Sequence, residues 1–295
     1  MSKAIAWDDQ RIFLAVLEEG SLSAAARQLG LSHPTVRSRI EMLEKELGTV
    51  LFTRSVNGLT PTSAAQSLRE AARAMAMASE LFIRQASSAS GEVAGTVRIS
   101  VPEFMGVAVI PDMLARLCDA HPAIRIELSL SDAPADLLAQ EVDIAVRTVA
   151  PKQEALVTRK VASIPLGLFA ARSYVEKHGS PAAFDELTEH VFVGPDRNRR
   201  DLELAKRLGE TILNRLVVRS DSHPAQLALI QAGIGIGVIQ VPVGRRDPRL
   251  VHILPDVEIA LLETWIVTHE NLARLPRIRA VMDILATSFR ALSRP

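Results

Sequence analysis

Apolar residues in the first fifty positions recur at helical spacing. Over Asp8–Glu19, Ile12, Phe13, Val16 and Leu17 share one face, and Asp8 and Asp9 stand in the first turn, where a helix dipole favours acids. Gly20 ends this helix. Ser21 or Ser23 can cap a short second helix over Ala24–Leu29, whose alanines allow a neighbour to approach closely. Gly30 suits a left-handed turn, and Ser32 is placed to cap a third helix. Pro34 falls in that helix's first turn, where its missing N–H costs nothing, and the helix runs to about Leu47 before Gly48.

Two helices joined by so short a turn form a helix-turn-helix, whose second helix enters a major groove. On its wheel Val36, Ile40, Leu43 and Leu47 gather as the buried face, while Pro34, Ser38, Glu41 and Lys45 point outward. Thr35 and Met42 stand beside that outer row, and Arg37 and Arg39 lie on opposite flanks. Short groups at the helix tip meet base edges, and flanking arginines reach phosphates or guanine edges. An ordinary helical hairpin with solvated charges has the same pattern. The next segment narrows the choice: Val50–Arg54 and Leu59–Pro61 flank Asn57–Gly58, two short extended pieces around a turn that read as a β-wing.

Residues 7–63, including SLSAAARQLGLSHPTVRSRIEMLEKELGTVLFTRSVNGLTPT, resemble the winged helix-turn-helix of LysR-type transcriptional regulators. The resemblance rests on the alanine-rich scaffold helix, the Ser-x-Pro entry, Leu43–Glu44 and the Leu-Phe-x-Arg wing strand. It implies a double-stranded DNA operator as partner. The candidate DNA-contacting residues are Ser23, Ser32, His33, Pro34, Thr35, Arg37, Ser38, Arg39 and Arg54. The chain departs from the commonest family pattern with His33 and Arg37–Ser38–Arg39, so no operator sequence carries over. His33 reads equally as a DNA contact or a solvated turn residue.

Thr62–Ser90 contains neither glycine nor proline and is rich in helix formers. Leu68, Ala72, Met75, Ser79 and Phe82 repeat at coiled-coil spacing, and Ser87–Gly91 marks a boundary. A core helix of a larger domain would also fit. The resemblance makes it a linker helix pairing two subunits through Leu68, Ala72, Met75 and Phe82, in a homodimer or homotetramer, with RNA polymerase as a further possible partner.

From Gly95 strands and helices alternate, which predicts parallel pairing. Strands are expected over 96–101, 124–130, 142–147, 164–170, 191–194, 216–219, 234–241, 251–253 and 263–268. Helices are expected over 107–120, 135–140, 173–178, 202–208, 224–232 and 278–292. The resemblance to the LysR-type effector domain, itself similar to periplasmic solute-binding proteins, implies two α/β lobes. The expected organisation is α/β overall: an all-α winged helix-turn-helix over 1–62, a linker helix and hinge over 63–91, and an effector domain over 92–295. Lobe one would take 92–164 with 265–295, and lobe two 165–264.

Open α/β sheets bind ligands at strand carboxyl ends. That places Pro102, Glu103, Phe104, Ser131, Asp132, Arg147 and Thr148 on one side of the cleft. Val193, Gly194, Asp221, Ser222 and His223 are on the other, the last two preceding a helix. Arg147 suits an effector carboxylate, or pairs structurally with Glu103 or Asp132.

Composition removes other classes. Lys+Arg and Asp+Glu both number 34, so any basic patch for nucleic acid is local. Hydrophobic residues at 48% argue for a packed fold, and aromatics at 4% against a single-strand stacking platform. One cysteine, Cys118, allows neither an intrachain disulfide nor a thiolate metal cluster, and its helix suggests a core position. The acids near the N-terminus interrupt any signal-peptide core. Ser222–Gly244 is uncharged apart from His223, but reads as helix, turn at Gly233 and strand rather than a membrane span. Gly233-x-Gly235-x-Gly237 lies between helix and strand in the reverse order of a dinucleotide loop. Neighbouring Ser220, Asp221, Ser222 and His223 make no triad, and the 7 histidines show no close metal-ligand spacing. The expectation is a cytoplasmic regulator without catalytic residues, metal or cofactor, switched by a small molecule of unknown identity. The rival is a solute-binding or enzymatic α/β protein with an N-terminal protein-interaction module.

Overall fold

The computed structural model describes residues 5–55, 58–86, 93–132, 142–150 and 156–292. The chain divides into two compact units after Ala86. The helix expected over 135–140, the turn residue Asn57 and the side chain of Arg54 lie outside the description.

The first unit contains α1 (Trp7–Glu19), α2 (Leu22–Leu29), α3 (His33–Leu47), β1 (Phe52–Ser55), β2 (Gly58–Pro61) and α4 (Ser63–Ala86). Gly20, Gly30 and Gly48 close the first three helices at φ 68°, 66° and 64°, which side chains rarely adopt. Ser21 caps α2 by accepting from the Ala24 N–H, so Ser23 sits inside the helix. The core joins Ile12, Phe13, Val16 and Leu17 of α1 to Ala25 and Ala26 of α2 and to Val36, Ile40 and Leu43 of α3. Leu47 departs from expectation at 39% exposure: α3 ends there, and fully buried Leu51 fills the core instead. Glu44 then fixes the wing, its carboxylate accepting the N–H groups of Leu51 (2.7 Å) and Phe52 (3.0 Å).

Helix α4 is not amphipathic in the register expected. Ala72, assigned to an intersubunit seam, is buried with Ala65 in the first unit's core, because the helix packs on α1 and Arg73 pairs with Glu18 at 2.9 Å. The row left exposed is Leu68, Ala71, Met75, Ala78 and Phe82, at spacing 3-4-3-4.

In the second unit β3 (Gly95–Val101), α5 (Glu103–Ala108), α6 (Ile110–Ala120), β4 (Ile124–Leu130) and β5 (Ile144–Arg147) come first. They are followed by β6 (Leu156–Ala171), α7 (Arg172–His178), a 3-10 turn (Asp185–Glu189), β7 (Phe192–Gly194), α8 (Arg199–Leu208), α9 (Glu210–Asn214) and β8 (Leu216–Arg219). The last are α10 (His223–Gln231), β9 (Gly237–Gln240), α11 (Val241–Arg246), β10 (Leu250–Ile253), β11 (Ala260–His269) and α12 (Pro276–Leu292). The main sheet runs β10-β6-β11-β5-β3-β4 with β9 also on β6, and β7 pairs β8 separately.

Parallel pairing holds for β3 with β4 and β5, and for β7 with β8; the pairs of β6 and β11 are antiparallel. Uniform parallel pairing was therefore too simple. The cause is β6, 16 residues long, which pairs with β11 through its first part and with β9 and β10 through its last. The strand expected over 164–170 is its second half, and residues 156–163 extend it toward the N-terminus. The helix expected over 107–120 is two helices, since Pro111 fits a first turn and α6 begins anew at Ile110. On α6 Met113 and Leu117 turn inward and Cys118 is exposed, not core. The strand expected to Val241 stops at Gln240, where Pro242 opens α11. A Cβ on Gly235 would lie 2.6 Å from the Val191 carbonyl oxygen, so that glycine serves close packing.

Candidate DNA-reading surface and interlobe cleft

Because Val36, Ile40 and Leu43 give one face of α3 to the core, the opposite face is open. Pro34, Thr35, Ser38, Arg39 and Met42 line a depression along it. Ser32 is committed to capping: its Oγ accepts the Thr35 N–H at 3.2 Å and lies 2.7 Å from the Thr35 hydroxyl. His33 is the first residue of α3 and exposed, as are Pro34, Arg37 and Ser38. Ser23 is exposed on α2.

The two flanking arginines differ. Arg37 Nε lies 2.7 Å from Glu41 Oε1, with both side chains more than half exposed. Such a pair contributes about 0–1 kcal/mol and opens readily. Arg39 Nη1 lies 2.8 Å from Asp9 Oδ1, whose side chain is only 7% exposed.

In the second unit, residues expected on opposite sides of the cleft touch directly. The Ser222 hydroxyl donates to Glu103 Oε2 at 3.2 Å, and Arg200 of α8 donates to the Thr148 hydroxyl (3.2 Å) and carbonyl (3.3 Å). Pro102 precedes α5, and the Glu103 N–H faces Asp132 Oδ1 at 3.3 Å. Phe104 and Val193 do not line an open surface. Both are buried in one apolar cluster with Phe169, Ile230 and Ile239, because α5 packs against α10. Ser131 continues the β3–β4 ladder, its N–H donating to the Val101 carbonyl at 2.9 Å.

Arg147 pairs with neither Glu103 nor Asp132. It donates to the Ser100 carbonyl (3.2 Å) and hydroxyl (2.9 Å) and to the Val146 carbonyl (2.7 Å). Burial pushes its guanidinium below the ordinary value, partly offset by Asp132. Among the described residues no carboxylate stands at ion-pair distance from it.

Asp221 departs from its expected role. Its carboxylate accepts the N–H groups of Asp196, Arg197 and Asn198 at 2.9–3.1 Å, and these bonds, led by Asn198, hold its carboxyl below the usual range. It organises the turn before α8 and is not free to receive a ligand. Ser222 does not cap α10, since its hydroxyl is given to Glu103. His223 Nε2 meets Asp201 Oδ2 at 3.0 Å. That bond raises the imidazole above its ordinary value; burial opposes the rise, and Asp201, Asp132 and Glu103 reinforce it by charge. Arg200, Asp201 and Ser100 were missed from sequence. Asp196–Asp201 just beyond the strand end at Gly194 was the available signal.

Two family models match. The LysR substrate binding domain covers residues 90–290, and the bacterial regulatory helix-turn-helix protein, lysR family, covers residues 7–66. The chain belongs to the LysR family. An HTH-type transcriptional regulator of Xanthomonas campestris pv. campestris is 33% identical, the match covering 65% of this chain and 56% of that protein. Probable HTH-type transcriptional regulator LtrA of Klebsiella pneumoniae is 24% identical over 97% of this chain and 95% of its own. Full-length CbnR, solved with its target DNA, superposes with a TM-score of 0.72 at 20% identity, covering 96% of this chain and 99% of that one. At that identity the likeness carries the fold. This LysR-type protein is a DNA-binding transcriptional regulator rather than an enzyme, and LysR regulators form oligomers. Among the described residues no helix is long and apolar enough to cross a membrane.

The raised His223 value fixes a sign. Its contribution to stability is full below its ordinary 6.5 and is lost as pH rises through the higher folded value. His190 and His252 are lowered, mainly by burial, and act oppositely. The difference in melting midpoint between wild type and His223→Gln should therefore shrink as pH rises from 5.5 to 8.5. A difference that is flat across this range would contradict the assignment.

Proposed function

We propose that this LysR-type regulator is switched by a small anionic effector held by Arg147 in the interlobe cleft. The observation carrying this reading is a partly buried guanidinium whose hydrogen bonds go to neutral acceptors. Desolvation of this half-buried cation is only partly offset by the charge of Asp132, and a planar carboxylate would relieve the rest through paired N–H donors. Glu103 and Asp201 are already engaged by Ser222 and His223. Ser222–Glu103 and Arg200–Thr148 link the two sides of the cleft through exposed or half-exposed bonds, weak enough for a ligand to exchange. The effector acts only if it binds two arrangements of the oligomer with different affinity. Operator DNA is the first partner, RNA polymerase a further one, and the cytoplasm the compartment. No metal or cofactor enters the scheme.

The subunit contact is the exposed row of α4, with Leu68, Met75 and Phe82 as its large members. Phe82 is 74% exposed in the single chain, an expensive position for an aromatic without a partner. Two α4 helices pairing there would present two α3 helices to an inverted repeat.

Two outcomes test these readings. In thermal shift against a panel of small carboxylates, a subset should raise the wild-type midpoint, while Arg147→Ala should respond to none and keep its DNA affinity. Equal shifts in the variant would remove Arg147 from the site. Phe82→Glu should lower the oligomeric state measured by analytical ultracentrifugation at micromolar concentration, and an unchanged sedimentation profile would refute the seam.

A further inference from the structure

We propose that Asp9 of α1 is a positioning residue for DNA reading: it holds Arg39 along the flank of α3 so that the remaining guanidinium N–H groups meet a guanine edge. The proposal rests on the assignment of α3 as the reading helix. It adds a residue from a different helix and a base to be read.

Asp9 lies in the first turn of α1 and is 5% exposed, whereas acids beside it at Asp8 are solvated. A carboxyl group at such depth needs a partner, and its described side-chain bond is to Arg39 Nη1 at 2.8 Å. The two residues are thirty positions apart, so the bond ties α3 to the start of α1 at one point of the helix. Arg39 remains 39% exposed and lines the open face with Pro34, Thr35, Ser38 and Met42. One guanidinium nitrogen is therefore spent on Asp9, while other N–H groups stay beside the residues facing the groove.

An arginine reads guanine when two N–H groups meet O6 and N7 together, which demands a fixed orientation of the planar group. A free surface arginine must give up its rotamer freedom on binding, whereas one already held has given it up beforehand. Arg37 supplies the contrast within the same helix. Its partner Glu41 is one turn away on α3 itself and mostly in water. That pair imposes little and leaves Arg37 suited to phosphate, where orientation matters less. The opposite role for Asp9, cancelling the Arg39 charge to weaken DNA binding generally, predicts a different outcome below.

The full chain is used to select sites from duplexes with a randomised centre. Wild type should enrich a half-site with a fixed guanine, and replacing it by 7-deazaguanine, which lacks the N7 acceptor, should weaken binding about tenfold. Asp9→Asn, Arg39→Gln and the double variant D9N/R39Q should each bind the selected operator about tenfold more weakly than wild type. All three should be indifferent to 7-deazaguanine and keep their affinity for unrelated duplex at the same salt. Melting curves identify any variant that fails to fold. If D9N does, Asp9→Glu, which keeps a carboxylate but displaces the Arg39 contact, should show reduced 7-deazaguanine discrimination, and full retention by it would overturn the positioning role.

Retention of the 7-deazaguanine discrimination by D9N and the double variant would overturn the proposal while leaving α3 as the reading helix. Tighter binding of D9N to operator and unrelated duplex alike would also overturn it, making Asp9 a brake on charge. Failure of the wild type to enrich any sequence would overturn the reading-helix assignment and this proposal together.

Discussion

A helix that reads DNA can give only one face to its own protein. In α3 that division is made by Val36, Ile40 and Leu43, whose burial against α1 and α2 leaves His33, Pro34, Arg37 and Ser38 uncovered. Everything else in the first unit keeps that face fixed. Left-handed glycines end the helices at set lengths, Ser21 and Ser32 satisfy N-terminal amides, and Glu44 fastens the wing strand to α3. Burying each of the large α3 side chains is worth roughly 1.5–3 kcal/mol, comparable to a large part of what a small domain has in net stability. The face is thus presented by the same contacts that make the unit fold.

The second unit follows a different logic, in which polar contacts join elements beside a shared apolar cluster. Phe104, Val193 and Ile230 share one buried apolar cluster, while Ser222–Glu103 is half-buried and Arg200–Thr148 exposed. The buried part resists separation, and the polar part exchanges with water or ligand at small cost. Arg147 is anchored to Ser100 and Val146, which fixes the guanidinium where the proposed effector would meet it.

Sequence reasoning reached the first unit almost residue by residue because its signals are local: capping serines, helix-stopping glycines and a heptad-like apolar face lie within a few positions of what they determine. It reached the α/β nature of the second unit for the same reason. It failed where partners are distant in the chain. The Arg39–Asp9 bond spans thirty positions, Asp221 is claimed by amides twenty-odd residues earlier, and Arg200 meets Thr148 across fifty-two. None of these pairings leaves a periodic trace. Ala72 and Leu47 were misplaced because a wheel identifies an apolar row but not where a neighbouring element stops covering it. Strand pairing failed at β6 because the strand expected over 164–170 is only its second half, and residues 156–163, which pair with β11, were not read as strand.

The account stands on the uncovered face of α3 recognising a sequence rather than binding DNA by charge, which a chain with zero formal net charge is poorly equipped to do. The most direct measurement pulls genomic fragments down with the full chain at about physiological salt, with excess non-specific competitor. The affinity of an enriched fragment is then compared with that of a scrambled duplex of equal length. The account predicts a few fragments sharing an inverted repeat, bound at least about a thousandfold more tightly than the scrambled control. Equal affinities for the two duplexes would contradict it.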